Sequence, residues 1–197
     1  MLVEKPLGLD HDDALVHPRA LAGHCERFNP AVRAAKVRGV RQLRSRRLSP
    51  PPDDRALDVD VIADLMVHDL DLLLSWADDV TVEAVEVRAW RQRHPEWVVA
   101  HLAFSGGTAV LEASRVARVR ERGIVLNDDG GEARLDLLRG HAERSGRRLS
   151  SPPEDALTAQ LSAVVDTLCG QDYCGATSAA GRRAVELADA VRRGALR

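Results

Sequence analysis

Residues 81–138 read TVEAVEVRAWRQRHPEWVVAHLAFSGGTAVLEASRVARVRERGIVLNDDGGEARLDLL, and this stretch decides the fold. Apolar and polar residues alternate with a period of two. That pattern predicts strands over 81–90, 97–104, 108–116, 123–126 and 132–138. Ser105-Gly106-Gly107 and Asp128-Asp129-Gly130-Gly131 join neighbouring strands, and short glycine loops make hairpins, hence an antiparallel sheet. Upstream, residues 59–76 (VDVIADLMVHDLDLLLSW) form the strongest helix candidate. Downstream, helices are predicted from about Glu154 to Leu168 and from about Ser178 to Arg193, each ending before a glycine. The order helix, strand meander, helices predicts an α+β domain: an open, mainly antiparallel sheet covered on one face by helices. An alternating βαβ pattern is missing, and no G-x-G-x-x-G phosphate cradle occurs anywhere in the chain.

The helix at 59–76 carries its polar residues at Asp60, Asp64, His68, Asp71 and Ser75. Steps of three and four place them on one stripe. Asp69 is the one charged residue off that stripe. Almost everything else is apolar, so the helix is buried and its stripe faces an internal cleft. Asp64 and His68 are four residues apart, which stacks them one turn apart. Asp64 is then expected to orient the imidazole, and nearby carboxylates to favour its protonated form. A His so placed suits general acid/base work, and a hydrogen-bonded polar seam without catalysis fits the same pattern.

The 197 residues hold 28 Lys+Arg against 30 Asp+Glu, a net charge of −2 that speaks against a general polyanion binder. With 45% hydrophobic residues the chain is globular, not disordered. No run of 18 apolar residues exists, so no membrane helix is expected. Cys25, Cys169 and Cys174 are an odd set without framework or zinc spacing; we read them as free thiols of a reducing cytoplasm, with no metal site. Only Lys5 and Lys36 are lysines, so 26 of the cations are arginine. Arginine cannot release a proton, which gives Lys5 weight. It sits in Glu4-Lys5-Pro6, after a Val that suggests a strand end; a frayed terminus reads the same way. In GHCERFNP (23–30), Arg27 and Asn29 offer directional donors to a polar substrate, or simply form a turn. Seven cations and no acid occupy residues 33–47. Without interleaved aromatics this reads as a solvated edge strand, and nucleic-acid binding is the weaker alternative. The following proline run at 50–52 reads as a loop.

In combination these pieces resemble the Gfo/Idh/MocA family of NAD(P)-dependent oxidoreductases. The order Glu4-Lys5-Pro6, GHCERFNPAV (23–32), DVDVIADLMVHDLDLL (58–73), FSGGTAVLEASRV (104–116) and TSAAGRRAVELADAV (177–191) carries the likeness, which is greatest to the sugar-nucleotide branch. The resemblance implies hydride transfer between a nicotinamide and a sugar or sugar-nucleotide carbon. It places catalysis on Lys5, His68 and Asp64, substrate binding on Arg27 and Asn29, and the reacting end of NAD or NADP on Glu4, Lys5 and Pro6. It makes residues 1–30 the end of a nucleotide-binding domain and 31–197 an α+β substrate domain that forms homo-oligomers through its open sheet. The family's glycine loop lies outside this sequence, and the stretch from Pro6 to Gly23 is short for the elements expected there. The expectation is therefore a fragment or truncated product, or a cofactor domain supplied from elsewhere. A non-enzymatic remnant that oligomerises or binds sugar nucleotides is the alternative.

Overall fold

The computed structural model describes residues 1–5, 7–8, 16–51 and 59–196. Pro6, the acidic stretch Asp10 to Asp13 and the end of the proline run lie outside the described residues. Strands β1 (Leu2–Val3) and β2 (Leu21–Ala22) pair in parallel. A 3-10 turn (Cys25–Phe28) and the short helix α1 (Pro30–Ala35) follow. Then come β3 (Gln42–Leu48), a π-helical turn (Ile62–Met66) running into α2 (Val67–Trp76), and β4 (Thr81–Arg91). Strands β5 (His94–Phe104), β6 (Gly107–Ser114), β7 (Glu121–Asp128), β8 (Gly131–Asp136), β9 (His141–Arg144) and β10 (Arg147–Arg148) complete the sheet. Helices α3 (Ala156–Leu168) and α4 (Ser178–Ala195) close the chain.

The main sheet has eight strands in the order β10-β9-β8-β7-β3-β6-β5-β4, and only the β3–β6 pair is parallel. The β5–β6 hairpin turns through Gly106 at φ +87°, a conformation that favours a residue without Cβ. One sheet face is apolar: Leu43, Ala100, Leu102, Leu111, Ile124 and Leu135 are buried there with Leu70 and Leu73 of α2 and Val191 of α4. Burial of these alternate residues is what selects the register, since a one-residue slip would turn every one of them to water. The opposite face carries the charge. There Arg46 reaches Glu112 and Glu121, and Trp97 Nε1 donates to Glu112.

The cationic stretch behaves differently from its expected place at an edge. β3 lies inside the sheet, between β7 and β6. Its side chains alternate: Gln42, Arg44 and Arg46 are exposed, while Leu43, Ser45 and Arg47 are buried. The charges are a solvated face, as expected, but of a central strand. Arg47 is the exception, because it points into the core. Its Nη1 donates to Glu26 at 2.9 Å, and its Nη2 and Nε donate to Asp69 at 2.7 and 3.2 Å. Ser45 Oγ donates to Asp69, and Asn29 Nδ2 donates to Glu26. The network holds the 3-10 turn, the central strand and α2 together.

Removing one member of a buried ion network leaves an uncompensated charge, which costs about 3–5 kcal/mol. Arg47→Met is therefore expected to lower the unfolding free energy by about that amount in urea titrations, whereas Arg44→Met on the wet face of the same strand should change it by less than about 0.5 kcal/mol.

Candidate active site

Lys5 stands two residues past the end of β1, which fixes where it leaves the strand. Gly23 N donates to Val3 O at 2.7 Å, and a Cβ on Gly23 would stand only 3.0 Å from that oxygen and 3.2 Å from Glu4 Cα. Glycine thus lets the G-H-C turn lie against the Val3-Glu4 backbone that leads into Lys5. The next residue, His24, is buried as a result. Lys5 Nζ donates to the backbone oxygen of Asp64 at 2.6 Å and lies 3.7 Å from its carboxylate.

Asp64 and His68 do not meet as expected. Asp60 caps the helix by accepting from Ile62 N and Ala63 N, and its other oxygen accepts from Arg192 of α4. The helix then runs through a π turn from Ile62 to Met66, wider than an α turn, which changes the facing of residues four apart. Asp64 is consequently engaged by Lys5 and by Arg115 Nη1 at 3.3 Å, and makes no hydrogen bond to His68. The surroundings of His68 also differ from those expected. Burial pushes its pKa well down, and the nearby cations Arg47 and Lys5 lower it further. The imidazole is held neutral, not protonated. Its Nδ1 is buried without a hydrogen-bond partner among the described residues.

His24 joins this group, packing edge-on to His68 with ring centroids 6.4 Å apart. Burial lowers its basicity too, against the opposing pull of Asp71, whose Oδ2 is 3.8 Å from Nδ1. Both His24 nitrogens lack hydrogen-bond partners among the described residues. Lys5 is near enough that its charge acts on both rings. Burial in turn lowers the Lys5 pKa, while Asp64 pulls it up. The structure therefore brings Lys5, His68 and Asp64 into one cluster.

Arg27 and Asn29 separate in role. Arg27 grips the fully buried Asp71 with Nε and Nη2 at 2.8 and 2.7 Å, which leaves Nη1 without a partner among the described residues. Asn29 is spent on structure: its amide nitrogen serves Glu26 and Leu137 O, and its oxygen caps α1 at Ala31 N. Of the expected cofactor contacts, Glu4 and Lys5 are at this site, and Pro6 lies outside the described residues. Sequence reasoning passed over His24, Arg47, Asp69 and Arg115. The G-H pair beside the cationic motif was a usable signal for His24. For Asp69 the signal was a charge on the apolar side of a buried helix.

The open sheet with its helices is the fold of an oxidoreductase C-terminal domain, and the chain belongs to the Gfo/Idh/MocA-type oxidoreductases. It is 32% identical to UDP-N-acetylglucosamine 3-dehydrogenase of Acidithiobacillus ferrooxidans across 97% of this chain and 69% of that protein. A solved structure of the enzyme of that name from the same organism superposes with a TM-score of 0.84 at 31% identity, over 98% of this chain and 69% of the other. The fold is shared with a 3-ketoreductase from Actinomadura kijaniata in complex with TDP-benzene and NADP, at 19% identity and a TM-score of 0.76, over 98% and 69% of the two chains. It is shared also with levoglucosan dehydrogenase in complex with NADH and levoglucosan, at 14% identity and 0.81, over 99% and 71%. No family model matches the chain.

The depressed basicity of the two histidines makes a pH prediction. A buried His that stays neutral leaves the unfolded chain binding more protons below its ordinary pKa of about 6.5, so stability falls as pH drops through that value and continues to fall toward the lower folded-state pKa. Wild-type protein should lose stability between pH 7 and pH 5 more steeply than the His24→Gln/His68→Gln double variant in parallel urea titrations. Equal slopes would show that neither ring is protected from protonation.

Proposed function

We propose that this protein forms the catalytic and substrate-binding part of an NAD(P)-dependent dehydrogenase that oxidises, or reduces, a hydroxyl-bearing carbon of a sugar or sugar nucleotide. The observation that carries this reading is the shared placement of Lys5 and neutral His68. Oxidising an alcohol requires removal of its hydroxyl proton, and neutral His68 is in a state to take one. Lys5, a cation held by Asp64, donates to the hydroxyl oxygen and stabilises the negative charge that develops there as the proton leaves. His68, kept neutral by the cations around it, accepts that proton. Asp64 acts on Lys5 by fixing its position, and Arg115 fixes Asp64 in turn. Arg27, locked by Asp71, presents its open Nη1 to the sugar. Asn29 positions this segment through Glu26 and does not itself bind substrate.

The nicotinamide, NAD or NADP, supplies hydride chemistry when bound. The residues present fit its reacting end: Glu4 and Lys5 lie just past the end of a strand, and the Lys5 charge acts on His68, whose buried Nδ1 has no partner among the described residues. Pro6 would complete that contact. The sequence contains no glycine-rich phosphate loop, so the phosphate end is not explained by this chain's motifs. Parallel pairing of β1 with β2 supports assigning residues 1–30 to the end of a nucleotide-binding domain and 31–197 to the substrate domain. The sheet face that no described helix covers is where we place contact between copies in a homo-oligomer. No helix among the described residues is long and apolar enough to cross a membrane, and all three cysteines are free, which supports work in a reducing compartment such as the cytoplasm.

The test is reduction of NAD or NADP at 340 nm with UDP-N-acetylglucosamine, together with a fluorescence titration by NADH. The reading expects saturable NADH binding, with His68→Ala and Lys5→Ala each slowing turnover by roughly 10²–10⁴-fold. No saturable NADH signal would favour a binding module without redox chemistry, and near-normal turnover in both variants would remove Lys5 and His68 from the mechanism.

A further inference from the structure

Beside the site lies a cavity of about 800 Å³, within the usual range of small-molecule sites, about 300–1,000 Å³. Cys25, Glu26 and Asn29 of the G-H-C-E-R-F-N-P turn form one wall, Arg122 of β7 and Arg148 of β10 another, and the segment entering α3 the third. The cavity adjoins the candidate active site. Cys25 is near enough to Lys5 for their charges to interact, and Arg122 is one of the cations that suppress protonation of His68.

The charges on the walls are unevenly committed. Glu26 is already bonded to Arg47 and Asn29, and Asp155 is spent capping α3 at Leu157 N and Thr158 N. Arg139 is paired with Asp136 at 2.8 Å. Arg122 reaches Glu26 only at 3.7 Å, and Arg148 has no ion-pair partner among the described residues. Glu154, at the entry to α3, is the one wall carboxylate without a partner among them. Two guanidinium groups therefore face the cavity with donors to spare. Planar, bidentate donors of this kind suit phosphate oxygens, and a cation surrounded by other cations gains from a bound anion. Burial and the charge of Arg47 already press on Arg122 in that sense.

We propose that this cavity receives the diphosphate of a nucleoside-diphosphate substrate, held by Arg122 and Arg148 while the sugar reaches Lys5 and His68. The inference rests on the sugar-nucleotide reading above and names the groups that would distinguish a sugar nucleotide from a free sugar. Arg148 lies outside the cluster that handles the proton, so its loss should act on affinity and leave the chemical step alone, whereas Arg122 also acts on His68 and is therefore read by affinity. Arg148 is exposed on a two-residue strand at the sheet edge, so shortening it leaves the core intact.

The experiment is calorimetric titration of the full chain with UDP, and separately with inorganic pyrophosphate and with uridine. UDP is expected to bind saturably, pyrophosphate to compete with it, and uridine to bind far more weakly. Arg122→Ala and Arg148→Ala should each weaken UDP by tenfold or more, Arg148→Lys by less, and Arg134→Ala, outside the cavity, by under twofold. Circular dichroism confirms that each variant is folded. Failure of UDP to bind, or unchanged affinity in both alanine variants, overturns the proposal. Binding that depends on the two arginines without any nicotinamide-dependent turnover would uphold this site while the redox reading fails. Turnover of a sugar nucleotide with an unchanged KM in both variants would do the reverse.

Discussion

A single buried cation organises the molecule. Arg47 projects from the centre of the sheet into the core and is met by Glu26 on one side and Asp69 on the other. Its pKa is raised, because the attraction of two carboxylates outweighs the cost of desolvation. A charge this deep is stable only when its donors are matched, and here the matching groups come from three separate segments. The 3-10 turn that carries Arg27, with His24 at its N-terminal cap, is thereby fixed to the strand that anchors it and to the helix that carries His68. The same positive charge acts on His68 through space and helps to keep it neutral. Structural and functional demands thus meet in one side chain.

A second chain of constraints starts at the N-terminus. The close backbone approach at Gly23 sets the turn against the Val3-Glu4 backbone that leads into Lys5, and Lys5 is held by Asp64, which Arg115 holds in turn. Arg115 is gripped by Glu96 at 2.7 and 3.0 Å. The position of an amine at one end of the molecule therefore depends on a strand far along the chain. Side chains supported at both ends lose little entropy on binding a substrate, the usual requirement for precise placement of reacting groups.

Much of this was legible in the sequence, for identifiable reasons. The strands at 81–138 declared themselves because one face is apolar and the other charged, and glycine marked the turns. The buried helix was visible in its polar stripe, and the helix after 178 in its amphipathic spacing. The strand at Gln42–Leu48 was misplaced to an edge because arginine dominates it; an arginine in an inward position looks like solvent exposure until its carboxylate partners, 21 and 22 residues away, are in view. The π turn could not be read from spacing, so the bond expected between Asp64 and His68 gave way to one between Asp64 and Lys5. Asn29 looked like a substrate donor because sequence shows donors and not what occupies them. His24 was visible as a residue, but its burial follows from a backbone contact between segments 20 residues apart.

The account stands on Lys5 and His68 sharing one electrostatic environment. The most direct measurement is an NMR titration of the His68 imidazole in wild-type protein and in Lys5→Met. The account predicts a ring that stays neutral to well below the ordinary histidine range of about 6.5 and becomes easier to protonate once the lysine charge is removed. An imidazole that titrates normally and ignores the loss of Lys5 would place the two groups in different surroundings and contradict the proposed chemistry.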